Sequence, residues 1–196
     1  MEKILFVNAC MRGLEVSRTH KLCRVFLKEY AAVQPLFELE VADLTKAPPL
    51  CLDKIAVMAR DNLIDAGKEG HDMFRLSHQF AKADKIIVGA PYWDLSFPAA
   101  LKTYVEHISV RNVTFENTDR GVVGLCRARK LIYITTAGGY IKNANFGAEY
   151  FRGLCEFFGI GQFETFYAEG LDIATNDPEV LMHMAEMEIR EMAAGL

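Results

Sequence analysis

The chain has 196 residues, of which 51% are hydrophobic and 24% are charged, and its formal net charge is −4. That length allows one sizeable core, and the composition is that of an ordinary folded, soluble protein, so we expect a single domain over residues 1–196. The charges are spread along the chain without a Lys/Arg block, which argues against nucleic acid as a partner and against attachment to a membrane through a basic patch.

The first predicted element is a buried strand over residues 3–9. Only Lys3 is basic ahead of this short apolar run, so the segment does not resemble a secretory signal. No stretch of the chain approaches the roughly 20 apolar residues that a transmembrane helix needs. A polar loop follows the strand, and Ser17 or Thr19 then stands where the N-cap of a helix belongs. Apolar residues recur at helical spacing after this cap, at Leu22, Val25, Phe26 and Tyr30.

The next region contains a second strand and a long helical stretch. Residues 37–41 alternate apolar and acidic side chains, which is typical of a strand near the edge of a sheet. Residues 50–82 are predicted to be mostly helical, with interruptions at Gly67 and Gly70.

A short apolar run in mid-chain, residues 86–90, indicates a strand that is buried on both faces, because it is rich in β-branched side chains and too short for a helix. Pro91 ends this strand. Pro98 then begins a helix that is predicted to extend to about residue 109. The segment between them, residues 91–97, carries two large aromatic side chains and is predicted to be a ligand-binding loop.

The second half of the chain continues the alternation of strands and helices. In chain order we predict an irregular excursion over residues 113–125, a strand at 131–136, a helix at 146–158, a strand at 162–168 and a final helix at 177–194. Five strands alternating with helices indicate an α/β fold with a doubly wound parallel sheet, and the order 2-1-3-4-5 is favoured over the six-stranded dinucleotide-binding order.

Three loops are expected to meet at one edge of this sheet, because the carboxyl ends of neighbouring parallel strands lie together. They are residues 10–19, 91–97 and 136–140. The first places Ser17 at a helix N-terminus, which attracts anions through its free amides and its dipole. Taken alone, this loop is better explained by Ser17 and Thr19 simply capping the helix. The second offers an aromatic surface to a flat ring, and the third contains two consecutive glycines that let a ligand approach the backbone.

Other chemistries are less well supported. Cys10 and Arg18 resemble the phosphate loop of low-molecular-weight phosphatases, but seven residues separate them, more than that loop has. Neither of the two commonest glycine-rich nucleotide motifs is present, and the five histidines lack the spacing of metal ligands. The five cysteines are odd in number and widely spaced without a C-x-x-C motif, which predicts reduced thiols and a cytoplasmic protein with neither disulfides nor a metal site.

Several segments together resemble one known family. They are ILFVNA with the Ser17, Arg18 and Thr19 loop, GAPYWDLSFPAALKTYVEHI, the VTF and G..GL excursion, TTAGGY, and FFGI with F..AEG near the end. With these segments the chain resembles the flavodoxin-like NAD(P)H:quinone oxidoreductases, most closely the FMN-dependent NADH:azoreductases. The likeness covers nearly the whole chain and is weakest over residues 50–75.

This resemblance implies a bound FMN that carries the chemistry, with no catalytic side chain and no metal. The implied FMN-binding residues are Ser17, Arg18 and Thr19 at the phosphate, Pro91, Tyr92, Trp93, Asp94 and Leu95 along the isoalloxazine ring, and Thr136, Ala137, Gly138 and Gly139 at its pyrimidine side. We further predict Tyr140 and Phe115 in the pocket for the acceptor. The family implies NADH or NADPH as the donor, a quinone or azo compound as the acceptor, and a homodimer.

Three residues depart from the pattern of close relatives. Ala9 stands where those relatives carry a hydroxyl-bearing residue, and Ala137 stands where a larger residue is often found. Asp94 replaces an asparagine that is frequent at its position. A carboxylate beside the ring would disfavour an anionic reduced flavin by like-charge repulsion. These changes keep open the alternative of a flavodoxin-like binding or regulatory protein. An FMN-binding electron carrier that serves partner proteins is a separate alternative.

Overall fold

The computed structural model describes all of residues 1–196. The strands are β1 (Glu2–Asn8), β2 (Phe37–Asp43), β3 (Lys85–Gly89), β4 (Phe115–Thr118), β5 (Gly121–Gly124), β6 (Lys130–Thr136) and β7 (Gln162–Ala168). The α-helices are α1 (Arg18–Val33), α2 (Lys54–Asp65), α3 (Arg75–Lys82), α4 (Ala99–Ile108), α5 (Phe146–Phe158) and α6 (Pro178–Ala194), and a single 3₁₀ turn (Asp72–Phe74) precedes α3.

Five strands form one parallel sheet in the order β2-β1-β3-β6-β7. The predicted excursion is a separate antiparallel hairpin formed by β4 and β5. When only the five strands of the parallel sheet are numbered, their order is the predicted 2-1-3-4-5. The predicted fold is therefore confirmed, and the predicted element boundaries agree with the observed ones to within a few residues.

Helices cover both faces of the sheet. Since alternate residues of a strand point to opposite faces, Leu5 and Val7 of β1 pack with α3, α4 and α5, whereas Ile4 and Phe6 pack with α1 and α6. This division explains why the middle strands are nearly continuous apolar runs.

The hairpin β4–β5 is attached to the C-terminal end of α5 by direct backbone contact. The cap of that helix is Gly159, whose φ of +74° is the left-handed conformation that glycine adopts without cost. A Cβ atom on Gly124 of the hairpin would overlap the backbone of Phe158 and Gly159. Glycine at position 124 is thus a steric requirement of this junction.

Helix α2 is the most weakly buried helix, since Ile64 is its only buried residue. Three large apolar side chains in and just before it are exposed: Leu50, Ile55 and Met58. None of the helices in this chain has the length and apolar character that crossing a bilayer requires.

Candidate functional site

The three predicted loops meet around one cavity of about 400 Å³, a size typical of sites for small molecules. Most of the residues predicted to bind FMN line it: Ser17, Arg18, Thr19, Pro91, Tyr92, Trp93, Thr136, Ala137 and Gly138. The amino end of α1 and the loop after β3 therefore open into one shared space. A larger groove of about 770 Å³ runs along the outer side of α1, but it contains none of the residues of the other two loops.

The amino end of α1 is built to accept an anion. Ser17 is the N-cap, and its hydroxyl oxygen accepts a hydrogen bond from the amide of His20 at 3.2 Å. Its O–H remains free to donate. The amides of Arg18 and Thr19 donate to no acceptor within the protein, as expected in the first turn of a helix. Three hydrogen-bond donors without a partner in the protein thus lie at a positive dipole end, in residues that line the cavity.

Two of the loops are joined below the cavity by a buried hydrogen bond. The Oγ1 atoms of Thr19 and Thr136 lie 2.7 Å apart, and both side chains are buried. The Thr19 hydroxyl is therefore occupied within the protein, and the backbone amide of Thr19 is the donor of this residue that has no partner.

The positive charge of the cavity comes from Arg12 and Arg18. Arg12 was not among the predicted site residues, because its only signal in the sequence is that of a basic residue in a loop next to a helix N-terminus. Burial lowers the pKa of His20, and the nearby Arg24 lowers it further, while Asp43 acts in the opposite direction. The lowered pKa favours the neutral form of His20, which does not itself line the cavity.

Asp172 is the one carboxylate that lines the cavity, and it too was missed by the sequence analysis. Its Oδ1 atom lies 2.6 Å from Nη2 of Arg18. A Cβ on Gly138 would overlap the Asp172 carboxylate, whereas a Cβ on Gly139 would meet nothing within 4 Å. Neither glycine has a positive φ, so neither is required for a left-handed turn. Glycine at position 138 instead allows the close approach of the Asp172 carboxylate.

The aromatic loop has a fixed shape. The amide of Tyr92 donates to the carbonyl of Thr136 at 3.0 Å, and its hydroxyl donates to the carbonyl of Ala144 at 3.0 Å. Trp93 keeps 39% of its surface exposed, so it is not a core residue. Its ring is a free apolar surface at the edge of the cavity.

A two-residue reverse turn follows Trp93. The backbone groups of Trp93 and Ser96 form two mutual hydrogen bonds of 2.8 and 3.2 Å. The central residues, Asp94 and Leu95, have φ values of 50° and 68°, which is the signature of a type I′ turn without glycine. The carbonyl of Leu95 accepts a further bond from the amide of Phe146 at 3.2 Å.

Five predicted residues do not line the cavity: Asp94, Leu95, Gly139, Tyr140 and Phe115. Asp94 and Gly139 directly follow residues that line it, and Leu95 and Tyr140 lie two positions beyond those residues. The Phe115 ring lies 4.7 Å from the ring of Phe157, at the opposite end of α5 from its amino terminus, so the fold of one chain does not bring it to the cavity.

The phosphatase-like alternative finds no support in the geometry. Cys10 is completely buried, and its thiol lies 3.5 Å from the carbonyl oxygen of Gly89. A nucleophilic cysteine has to be accessible to its substrate. The described residues also contain no group of three or more His, Cys, Asp or Glu side chains that could hold a metal ion.

Comparison with known proteins shows the family to which the chain belongs. The sequence profile of the family described as flavodoxin-like fold matches residues 2–191. The FMN-dependent NADH:quinone oxidoreductase 2 of Clostridium acetobutylicum is 35% identical over 198 residues, covering 98% of each chain. This chain belongs to the flavodoxin-like family of FMN-dependent NADH:quinone oxidoreductases.

Other members of this oxidoreductase family are similarly related. The FMN-dependent NADH:quinone oxidoreductase of Caldicellulosiruptor bescii is 32% identical, and the alignment covers all of both chains. Among solved structures, the azoreductase from Bacillus anthracis strain Sterne superimposes with a TM-score of 0.86 at 27% identity, again over all of both chains. The family predicted from the sequence motifs is thus confirmed.

Proposed function

We propose that this protein is an FMN-dependent oxidoreductase that passes a hydride from NADH or NADPH through the flavin to a quinone, azo compound or similar acceptor. One observation carries the proposal: the anion-binding amino end of α1 and the exposed aromatic loop open into the same cavity. A flavin mononucleotide has a phosphate at one end and a planar ring at the other, so it matches both features.

The donors around the cavity fit this cofactor. The free amides of Arg18 and Thr19, the Ser17 hydroxyl and the Arg12 side chain would hold the phosphate. Tyr92 and Trp93 would lie along the ring, and residues 136–139 would contact its pyrimidine side. Ala9 is completely buried and does not line the cavity.

Bound FMN supplies the two-electron chemistry. Among the residues that line the cavity, only Arg12, Arg18, Tyr92 and Asp172 carry ionisable side chains. None of them is needed as a nucleophile in a hydride transfer. The protein residues therefore act by binding the flavin, by orienting it and by keeping one face open to the donor and then to the acceptor.

Purified protein tests this proposal directly. We expect a yellow preparation with the absorbance of flavin, bleaching by NADH without oxygen, and recovery of the absorbance when menadione is added. A preparation that stays colourless in the presence of FMN and oxidises no NADH with menadione would contradict it. Flavin absorbance without steady NADH oxidation would instead favour the electron carrier.

Trp93→Ala is expected to lower turnover with menadione by about an order of magnitude while changing the free energy of unfolding by less than about 1 kcal/mol. The reason is that Trp93 is exposed at the cavity and contributes little to the core. Steady-state kinetics and urea unfolding measure the two effects, and Trp93→Phe should restore most of the turnover. If Trp93→Ala unfolds the protein while leaving the activity of its folded fraction intact, the side chain is structural.

We also propose that the protein is a cytoplasmic homodimer. All five cysteines are free, which suits a reducing compartment. The exposed apolar side chains of Leu50, Ile55 and Met58 on one lightly packed segment are what a subunit interface would cover.

Ile55→Asp is expected to shift the protein from dimer to monomer, because it places a charge in this apolar segment. Sedimentation equilibrium measures the change. Val180→Asp is the matched control: Val180 is also an exposed apolar residue in the first turn of a helix, on α6, and its substitution should leave the assembly unchanged. A wild-type monomer, or equal effects of both substitutions, would contradict the assignment of this face.

A further inference from the structure

The ion pair between Arg18 and Asp172 lies inside the cavity that is proposed to bind FMN. Both residues line that cavity, and their side chains approach to 2.6 Å. The Arg18 guanidinium that would face the flavin phosphate is therefore already paired with an anion of the protein itself. Arg12, the other cation of the cavity, forms no ion pair.

Asp172 is held in this position by the backbone around it. The amide of Asp172 donates to the carbonyl of Gly138 at 2.8 Å, and the amide of Gly170 donates to the carbonyl of Gly139 at 3.0 Å. These bonds fix the loop after β7 against the turn after β6. The carboxylate then lies directly over Gly138, where only a glycine leaves room for it. The backbone of Asp172 is thus held next to the cavity, and both side chains of the ion pair remain partly exposed to solvent.

We propose that Asp172 is a built-in counter-ion of Arg18 that competes with the phosphate of FMN and so sets how tightly the protein holds the phosphorylated flavin. This inference rests on the proposed function, since it concerns the same cavity. Carboxylate and phosphate are both anions that bind guanidinium groups. When the phosphate arrives, Arg18 has to divide its hydrogen bonds between two anions, and the negative charges of Asp172 and the phosphate repel each other.

The two effects act on FMN but not on riboflavin, which has the same ring and no phosphate. Removal of the Asp172 charge should therefore favour FMN selectively. Because the residues are partly exposed, the effect should decrease as added salt screens the charges. The alternative is that Arg18 and Asp172 remain paired over the bound flavin and help to enclose it, in which case removal of the charge weakens binding.

The test compares Asp172→Asn with the wild type by titrating the flavin-free proteins with FMN and with riboflavin and following the quenching of flavin fluorescence. Asparagine has the same shape and can keep a hydrogen bond to Arg18, and an exposed ion pair contributes little to stability, so the variant should fold. We expect the Kd for FMN to fall about two- to tenfold at low salt. The Kd for riboflavin should be unchanged, and the gain for FMN should shrink in 1 M NaCl.

Two further variants define the cause. Glu188→Gln removes one charge from an exposed position near the far end of α6 and should leave both Kd values unchanged. In an Arg18→Gln background, Asp172→Asn should have a smaller effect on FMN, because no guanidinium remains for the two anions to share.

The outcomes separate this inference from the proposed function. If the wild type binds FMN and Asp172→Asn leaves that affinity unchanged or weaker, or if riboflavin gains as much as FMN, the competing action of Asp172 is wrong. If neither the wild type nor the variant binds FMN, the proposed function itself is wrong.

Discussion

Ser17→Ala is expected to raise the Kd for FMN about ten- to a hundredfold, which corresponds to the loss of a hydrogen bond to a charged group of about 1.5–3 kcal/mol. Ser17 caps α1 by accepting a hydrogen bond from the amide of His20, and it lines the cavity in which the phosphate is proposed to lie. The same substitution should lower the free energy of unfolding by about 1 kcal/mol through loss of the cap. Fluorescence titration and urea unfolding measure the two effects separately.

A matched control is available at another helix. Asp53 caps α2 by accepting a hydrogen bond from the amide of Ala56 at 2.8 Å, and its neighbour Leu50 is bonded to His107 near the C-terminal end of α4, away from the cavity. Asp53→Ala should therefore cost a similar amount of stability and leave the Kd for FMN unchanged. Equal losses of FMN affinity in the two variants would mean that the effect comes from helix capping, and an unchanged Kd in Ser17→Ala would place the phosphate elsewhere.

Gly124→Ala is expected to destabilise the protein by about 3 kcal/mol or more. The added methyl group would overlap the backbone of Phe158 and Gly159, and backbone atoms at the end of a helix cannot turn away as a flexible side chain can. The hairpin β4–β5 or the end of α5 has to move. Urea unfolding followed by circular dichroism measures the loss.

Gly153→Ala provides the comparison. Gly153 lies inside α5, where a Cβ would meet nothing within 4 Å, so alanine should stabilise the protein by about 0.5–1 kcal/mol through its better helix propensity. Opposite signs for these two glycine-to-alanine changes are the expected result. If Gly124→Ala is as harmless as Gly153→Ala, the hairpin does not pack on α5 as described.

The sheet was predictable because its signal is local. The runs at residues 3–9, 86–90 and 131–136 are largely apolar and too short for helices, as expected of strands that are buried on both faces. Alternation with helical segments then limits the topology to few orders. The hairpin was predicted only as an excursion, since two glycines and a weak alternation do not determine how Phe115–Thr118 pairs with Gly121–Gly124.

The site was predictable only where a loop directly follows a strand. Ser17 and Trp93 follow β1 and β3 in the sequence, so the parallel sheet places them at one edge. Arg12 and Asp172 could not be assigned in this way. The contact between Arg18 and Asp172 joins positions 154 residues apart, and it depends on how the loop after β7 folds back onto the turn after β6.

The left-handed pair Asp94 and Leu95 has a kinetic consequence. Each non-glycine residue in this conformation costs about 1–2 kcal/mol, so the turn exists only because the bonds between Trp93 and Ser96 and the contact with Phe146 hold it. A loop that is already constrained to its final shape does not have to rearrange when a ligand arrives. The association rate should therefore be governed by diffusion and by attraction to the two arginines, while differences in affinity among variants should emerge in the dissociation rate.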